Sequence, residues 1–348
     1  MLFVCASSSV QLTLKLLPQN KTPKYYIPKC EHHLEARWWE TLFTNLEKSL
    51  NVPIGTLRCT FLIETLTAAF QIEEILYEIR EHATGLNVGR WDKIFSDIKV
   101  LRNHPDRMSA DRASINMSKF WMDNYAKRLI KICHSHGAFA IGGMSAFTPG
   151  KDETTRNEQT AKVRSDKNNE AEIGHDGCWV SHPYFIGIAM EAFKNNNQLE
   201  RILTDFDKYP DLLMDGKGEQ SLDGLKTNLR VGIAYLRGWN QNIGCVSWDN
   251  LMEDLATLEI SRAQTWQWLH HNVQLTNGSN VTPDLIKQEF TNELNKILEE
   301  VDQTMKNSST EEIDQVKQEF TIAKENAEVL FLKTELPDFL SLASDRVQ

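Results

Sequence analysis

Between residues 25 and 250, short apolar runs alternate with longer amphipathic segments, and no other feature constrains the fold as much. The runs that read as strands are Tyr25–Ile27, Leu57–Ile63, Gly85–Val88, Ala138–Ile141, Cys178–Val180 and Cys245–Val246. Several end in small or polar residues, where a loop would begin. Between them, apolar spacing predicts helices over Ala69–Glu81, Lys119–His136, Asn157–Glu172, Tyr184–Asn195 and Leu222–Trp239. Alternation repeated in this way implies parallel strands joined by helical crossovers, hence an α/β sheet or barrel. A (β/α)8 barrel takes ~250 residues. Six such strands, alternating with helices in slightly fewer residues, predict a TIM-type barrel incomplete at its N-terminal side.

The flanks read differently. In VQLTLKLLP, Val10, Leu12, Leu14 and Leu16 alternate with mostly polar residues, a strand-like pattern. From Leu251 onward no strand pattern is visible: Leu251, Leu255 and Leu258 share a helix face that continues through Trp266 and Leu269 to about His271. Thr282-Pro283 starts another helix, the hydroxyl capping it and proline tolerated at its first position. Ser309 followed by Glu312 is a capping-box start, and KQEFT recurs at 287–291 and 317–321, as in a hairpin of two similar helices. The predicted organisation is an N-terminal segment 1–24 outside the barrel, a barrel domain 25–250 and an all-helical domain 251–348.

Composition narrows the partner. The chain has 348 residues, 48 acidic against 38 basic side chains and a net charge of -10, with no basic tract. That balance argues against a nucleic acid or an anionic membrane held by bulk electrostatics. No apolar run approaches the ~18–20 residues of a membrane span. A small molecule is the expected partner. The six cysteines are scattered without a C-x-x-C pair, which predicts buried thiols in a reducing compartment. The opening MLFVCASSS lacks the basic start of a secretory signal, and the closing Arg346-Val347-Gln348 is not an S-K-L signal. The expectation is a soluble, intracellular protein.

Functional residues of a parallel barrel sit at the C-terminal ends of its strands. Glu64 directly follows TFLI, Asp92 follows GLNVGRW, and Glu253-Asp254 lies just past the last predicted strand. Two carboxylates on adjacent strand ends suit a hard cation such as Mg²⁺, and a third off the metal can act as a base. Acidic residues at such positions also cap helices or face water, and spacing alone leaves both readings open. His134 and His136, two apart on a helix, point to different faces and do not chelate one ion. Trp266 and Trp268 read as helix packing.

Longer blocks carry more. The segment GTLRCTFLIETLTAAFQIEEILYEIREHATGLNVGRWDKIFS (55–96) closely resembles the malate synthases of the A type. So do YYIPKCEHHLEARWW (25–39), HSHGAFAIGGMSAFTP (134–149), GHDGCWVSHP (174–183) and LMEDLATLEISRAQTWQW (251–268). The blocks stand in the family's order, and the match runs almost continuously from Tyr25 to His271. Thr67 replaces a usual proline, and Ser145-Ala146-Phe147 a more typical Ala-Ala-Gln.

The resemblance implies a TIM barrel with a C-terminal helical plug, and condensation of acetyl-CoA with glyoxylate to malate and CoA in the glyoxylate cycle, in the cytoplasm or in a peroxisome or glyoxysome. It implies Glu64 and Asp92 as Mg²⁺ ligands and backbone N–H groups of Trp91 and Asp92 holding the glyoxylate carboxylate. Asp254 would take a methyl proton from acetyl-CoA, and Pro183 would lie near the CoA adenine. The family also carries an upstream RPRG-type motif whose arginine steadies the enolate, whereas residues 1–20 contain no arginine. Sequence therefore leaves three functions open: a malate synthase present as a fragment, a non-catalytic homologue that binds CoA or glyoxylate, and another Mg²⁺-dependent acyl-CoA lyase.

Overall fold

A computed structural model of the chain describes residues 11–340. It divides into two compact units, each described in turn; unit one comprises Met1–Lys93, Phe120–Ser145 and Lys151–Leu212.

Unit one is built on five parallel strands in sequential order: β1 (Lys24–Ile27), β2 (Arg58–Ile63), β3 (Ala83–Val88), β4 (Phe139–Ser145) and β5 (Gly177–Val180). The crossovers carry α1 (His33–Leu50), α2 (Leu66–Phe70), α3 (Ile72–Glu78), the first turn of α4 (Arg90–Leu101, which belongs to unit two from Ile94 on), α5 (Phe120–Ser135) and α6 (Glu153–Ile173), and α7 (Ile186–Ala192) follows β5. β1 and β5 are the two edges of this sheet, yet the rings of Tyr26 and Trp179 lie 5.0 Å apart. Only a curled sheet can bring its edge strands that close, so the strands form the half-barrel that alternation predicts. Phe61, Ile63, Leu86, Val88 and Ala140 are buried along it, and α5 packs Trp121, Tyr125, Leu129 and Ile132 inward at the predicted spacing.

Buried polar clasps tie these helices to the strands. The His82 ring, fully buried before β3, bonds Glu40 through Nδ1 at 2.8 Å and Glu47 through Nε2 at 2.9 Å. Glu47 also accepts the amides of Gly55 and Leu57, which fixes α1 to the approach of β2. Burial alone would lower the His82 pKa, but the two carboxylates outweigh it and raise it above the ordinary 6.5. Stability from this clasp is complete below 6.5 and is lost as pH rises through the folded-state pKa. Replacing His82 by glutamine should therefore cost more stability at pH 6 than at pH 9. Urea unfolding at both values checks this, and an equal cost would refute it.

Two expectations are corrected. Residues 11–16 are helical and run into a 3-10 turn at Leu17–Gln19, so the described part of VQLTLKLLP is not a strand; Val10 lies outside the described residues. Leu12 and Leu14 are exposed, so their alternation meets no sheet, and leucine and lysine favour the helix. Nor is Cys245–Val246 a sixth parallel strand. It belongs to β6 (Cys245–Trp248), which pairs antiparallel with β7 (Leu251–Asp254).

Unit two comprises Ile94–Lys119, Ala146–Gly150 and Leu213–Gln348. Its helices are α8 (Leu222–Asn240), α9 (Leu255–His270), α10 (Pro283–Thr304) and α11 (Thr310–Phe331). The caps at Thr282 and Ser309 form as read, and the two KQEFT copies lie on α10 and α11. From Ala256 to Trp268, α9 is buried without interruption. Its polar residues are satisfied inside: Gln264 donates to the Ala110 carbonyl at 2.6 Å, and Gln267 accepts the Ser109 amide at 2.9 Å. Trp266 and Trp268 are packing residues, as expected.

Candidate functional site

Parallel register places the C-terminal ends of β1, β2 and β3 side by side. Glu64 follows β2 at once, Asp92 lies in the first turn of α4 after β3, and Lys29 follows β1. Glu64 is buried, and its Oε1 accepts the Lys29 backbone amide at 2.7 Å. The Lys29 ammonium bonds Asp92 and stands 3.9 Å from Glu64. To turn its chain onto both carboxylates, Lys29 adopts φ +60°, a left-handed conformation uncommon for a residue with a side chain.

The supports of this site follow from residue size and hydrogen bonding. Gly89 has no alternative, because a Cβ there would stand 2.4 Å from the Glu64 Cβ. The Tyr125 hydroxyl accepts the Gly89 amide at 3.0 Å and donates to the Ile63 carbonyl, bridging the ends of β3 and β2. Burial pushes the Glu64 carboxyl up to about 8, and the Asp92 charge pushes the same way against Lys29. The carboxylates are thus close enough to repel, with one cationic side chain between them. Trp91 and Asp92 lie in the first turn of α4, where backbone N–H groups have no partner within the helix and favour an anion.

The other predicted site residues belong to other elements. Asp254 ends β7 in unit two and caps α9: its Oδ1 accepts the amides of Ala256 at 3.0 Å and Thr257 at 3.3 Å. Pro183 opens a 3-10 turn, Pro183–Phe185, capped by His182 after β5. His134 bonds Asp176 and His136 bonds Glu73, so the two histidines do serve different partners. Among the described residues, no three histidine, cysteine or acidic side chains cluster as metal ligands.

Of the cysteines, Cys30, Cys59 and Cys133 are buried as expected, but Cys178 is half-buried and Cys245 is exposed. The hairpin explains the exception: Cys245 opens β6 with its side chain in solvent. Cys5 lies outside the described residues. Burial raises the thiol pKa of Cys30 and of Cys178 to about 12, which disfavours the nucleophilic thiolate. A cleft of 650 Å³ bordered by Glu73, Tyr77, Ala83, His136 and Ala138 sits at the opposite, N-terminal ends of β3 and β4. In barrels that end serves stability.

Residues 10–208 match the family profile "Malate synthase, TIM barrel domain", and residues 219–344 match "Malate synthase, C-terminal". The chain belongs to the malate synthase family. It is 42% identical to malate synthase A of Escherichia coli over 340 residues, which covers 95% of this chain and 62% of that protein. It is 45% identical to malate synthase of Dictyostelium discoideum, covering 80% of this chain and 54% of that one. Glyoxysomal malate synthase of Gossypium hirsutum is also 45% identical, over 73% and 46% respectively. The chain thus spans roughly half to three-fifths of the length of these relatives. No described helix is long and apolar enough to cross a membrane.

Sequence reasoning missed Lys29. Its signal lay in position rather than spacing: it stands just past Ile27, at a strand end equivalent to those of Glu64 and Asp92.

Proposed function

We propose that the polypeptide carrying this chain condenses acetyl-CoA with glyoxylate and water to give malate and CoA. One observation carries the reading: in a member of the malate synthase family, Glu64 and Asp92 meet around the Lys29 ammonium at adjacent strand ends. A buried carboxylate beside a second one calls for positive charge, and an all-oxygen pair suits a hard divalent ion that keeps its other positions for water and substrate. Glu64 and Asp92 would hold Mg²⁺, which when bound polarises the glyoxylate aldehyde as a Lewis acid.

The remaining steps belong to the chain. Amides of Trp91 and Asp92, at the positive end of α4, bind the glyoxylate carboxylate and orient its aldehyde. Asp254 removes a proton from the acetyl methyl group, and the resulting carbon nucleophile attacks the aldehyde carbon. Water then cleaves the thioester, releasing malate and the CoA thiol. Pro183 lines the adenine end of the CoA site.

The test is thiol release from acetyl-CoA by the complete polypeptide. Release should require both glyoxylate and Mg²⁺, and its absence would overturn the enzyme reading. Mg²⁺-dependent glyoxylate binding without turnover would instead identify a binding homologue, and malyl-CoA cleavage without condensation a different lyase. Glu64→Gln should weaken Mg²⁺ binding by roughly tenfold or more, since even residues behind metal ligands contribute that much. An unchanged titration would remove Glu64 from the ligand set.

A further inference from the structure

A second buried ionic cluster lies against β4, contributed by α6. The Lys167 side chain is completely buried; its ammonium donates to the Gly143 carbonyl at 2.7 Å and to Glu170 at 3.0 Å, with Asp166 at 3.4 Å. Asp166 in turn accepts the Ser145 hydroxyl. Glu170 fills the space beside Gly142, where an added Cβ would stand 2.5 Å from its carboxylate. Burial works against the lysine charge, yet Glu170 and Asp166 hold its pKa above the ordinary value.

Such a cluster is weak evidence of stabilisation, because apolar residues of similar volume often serve a core as well or better. Its position is more informative. β4 shifts register against β5 between Gly142 and Met144, and strand irregularities of this kind re-aim residues beside functional sites. The carbonyl that Lys167 holds belongs to Gly143, at the centre of that shift. Gly143 packs directly on the turn from β3 into α4: a Cβ there would meet the Val88 carbonyl at 3.1 Å and the Arg90 amide at 4.0 Å. The cluster therefore reaches the Trp91–Asp92 turn by packing through Gly143.

We propose that Asp166, Lys167 and Glu170 are positioning residues that fix the β3–α4 turn through Gly143, setting the place of Asp92 and of the Trp91 and Asp92 amides. The link to ion binding rests on the reading of Asp92 as a ligand; the positioning itself does not. The discriminating variant is Lys167→Met, which keeps an unbranched side chain and removes the donor.

Two measurements on the chain decide. Hydrogen–deuterium exchange without metal should become faster over residues 88–93 in Lys167→Met, while α11 is unchanged. Mn²⁺ affinity, read by electron paramagnetic resonance, should fall by about 10–100-fold, the range typical of residues supporting a metal ligand. Lys167→Arg, which keeps charge and donors, should recover part of both effects. Unchanged exchange over 88–93 overturns the positioning, and unchanged Mn²⁺ affinity overturns its link to the site. A parent chain that binds no Mn²⁺ overturns the cation reading alone, and exchange still decides the positioning. If Lys167→Met does not fold, Ser145→Ala removes only the hydroxyl that holds Asp166. It should raise exchange over 88–93 in the same direction, and no rise would overturn the proposal.

Discussion

Asp254→Asn in the complete polypeptide should lower kcat for CoA release by about 10²–10⁴-fold, the usual contribution of a positioned proton acceptor. The capping geometry makes asparagine the informative replacement. Asp254 Oδ1 accepts the Ala256 and Thr257 amides, and the Thr257 hydroxyl accepts the Asp254 amide at 2.9 Å. Asparagine caps a helix about as well as aspartate, so those bonds persist while the basic oxygen is lost. Alanine would confuse the result, since losing a cap typically costs ~1 kcal/mol. The thermal midpoint and glyoxylate binding should therefore stay near parental values while kcat collapses. Exchange of acetyl-CoA methyl protons with solvent gives a second readout and should fall with kcat. Near-parental turnover would remove Asp254 from the mechanism.

The half-barrel was legible because each strand–helix unit obeys a local rule. Apolar runs at Arg58–Ile63 and Ala83–Val88 bury their side chains, and α5 shows its buried face at regular intervals. The β6–β7 hairpin was not legible, because Leu251, Leu255 and Leu258 also fit one helix face. The overlooked signal is the Asp249-Asn250 pair between Trp248 and Leu251. Both residues take left-handed φ, +47° and +62°, as a two-residue hairpin turn requires, and Asp and Asn tolerate that conformation best. For Glu64 and Asp92, strand-end position was enough to nominate them. Their partner Lys29 stands at an equivalent strand end, but a cation fits no metal-ligand pattern, and its meeting with both carboxylates follows from parallel register, which no spacing rule encodes.

Buried charge, invisible to periodicity, sets the second large effect. Arg112 and Glu253 are both buried in unit two and form an ion pair through Nη2, and Arg112 Nη1 donates to Ser261 at 3.3 Å. Glu253 Oε2 has no hydrogen-bond partner among the described residues, so Arg112 is what compensates its charge. Arg112→Met should then cost about 3–5 kcal/mol, because it leaves a carboxylate buried without its cation. Replacing both residues, as Arg112→Met with Glu253→Leu, should recover most of that loss, since a well-packed apolar pair is often as stable as a buried ion pair. Urea unfolding followed by tryptophan fluorescence suits the experiment, as Trp248, Trp266 and Trp268 lie in this unit. The pair also bears on the candidate base: Glu253 lies opposite Val246 in the hairpin and immediately precedes Asp254. A single variant within about 0.5 kcal/mol of the parent, the range of ordinary surface changes, would show that Glu253 finds its compensation elsewhere. A double variant as unstable as Arg112→Met would show instead that the ion pair specifies the packing around β7.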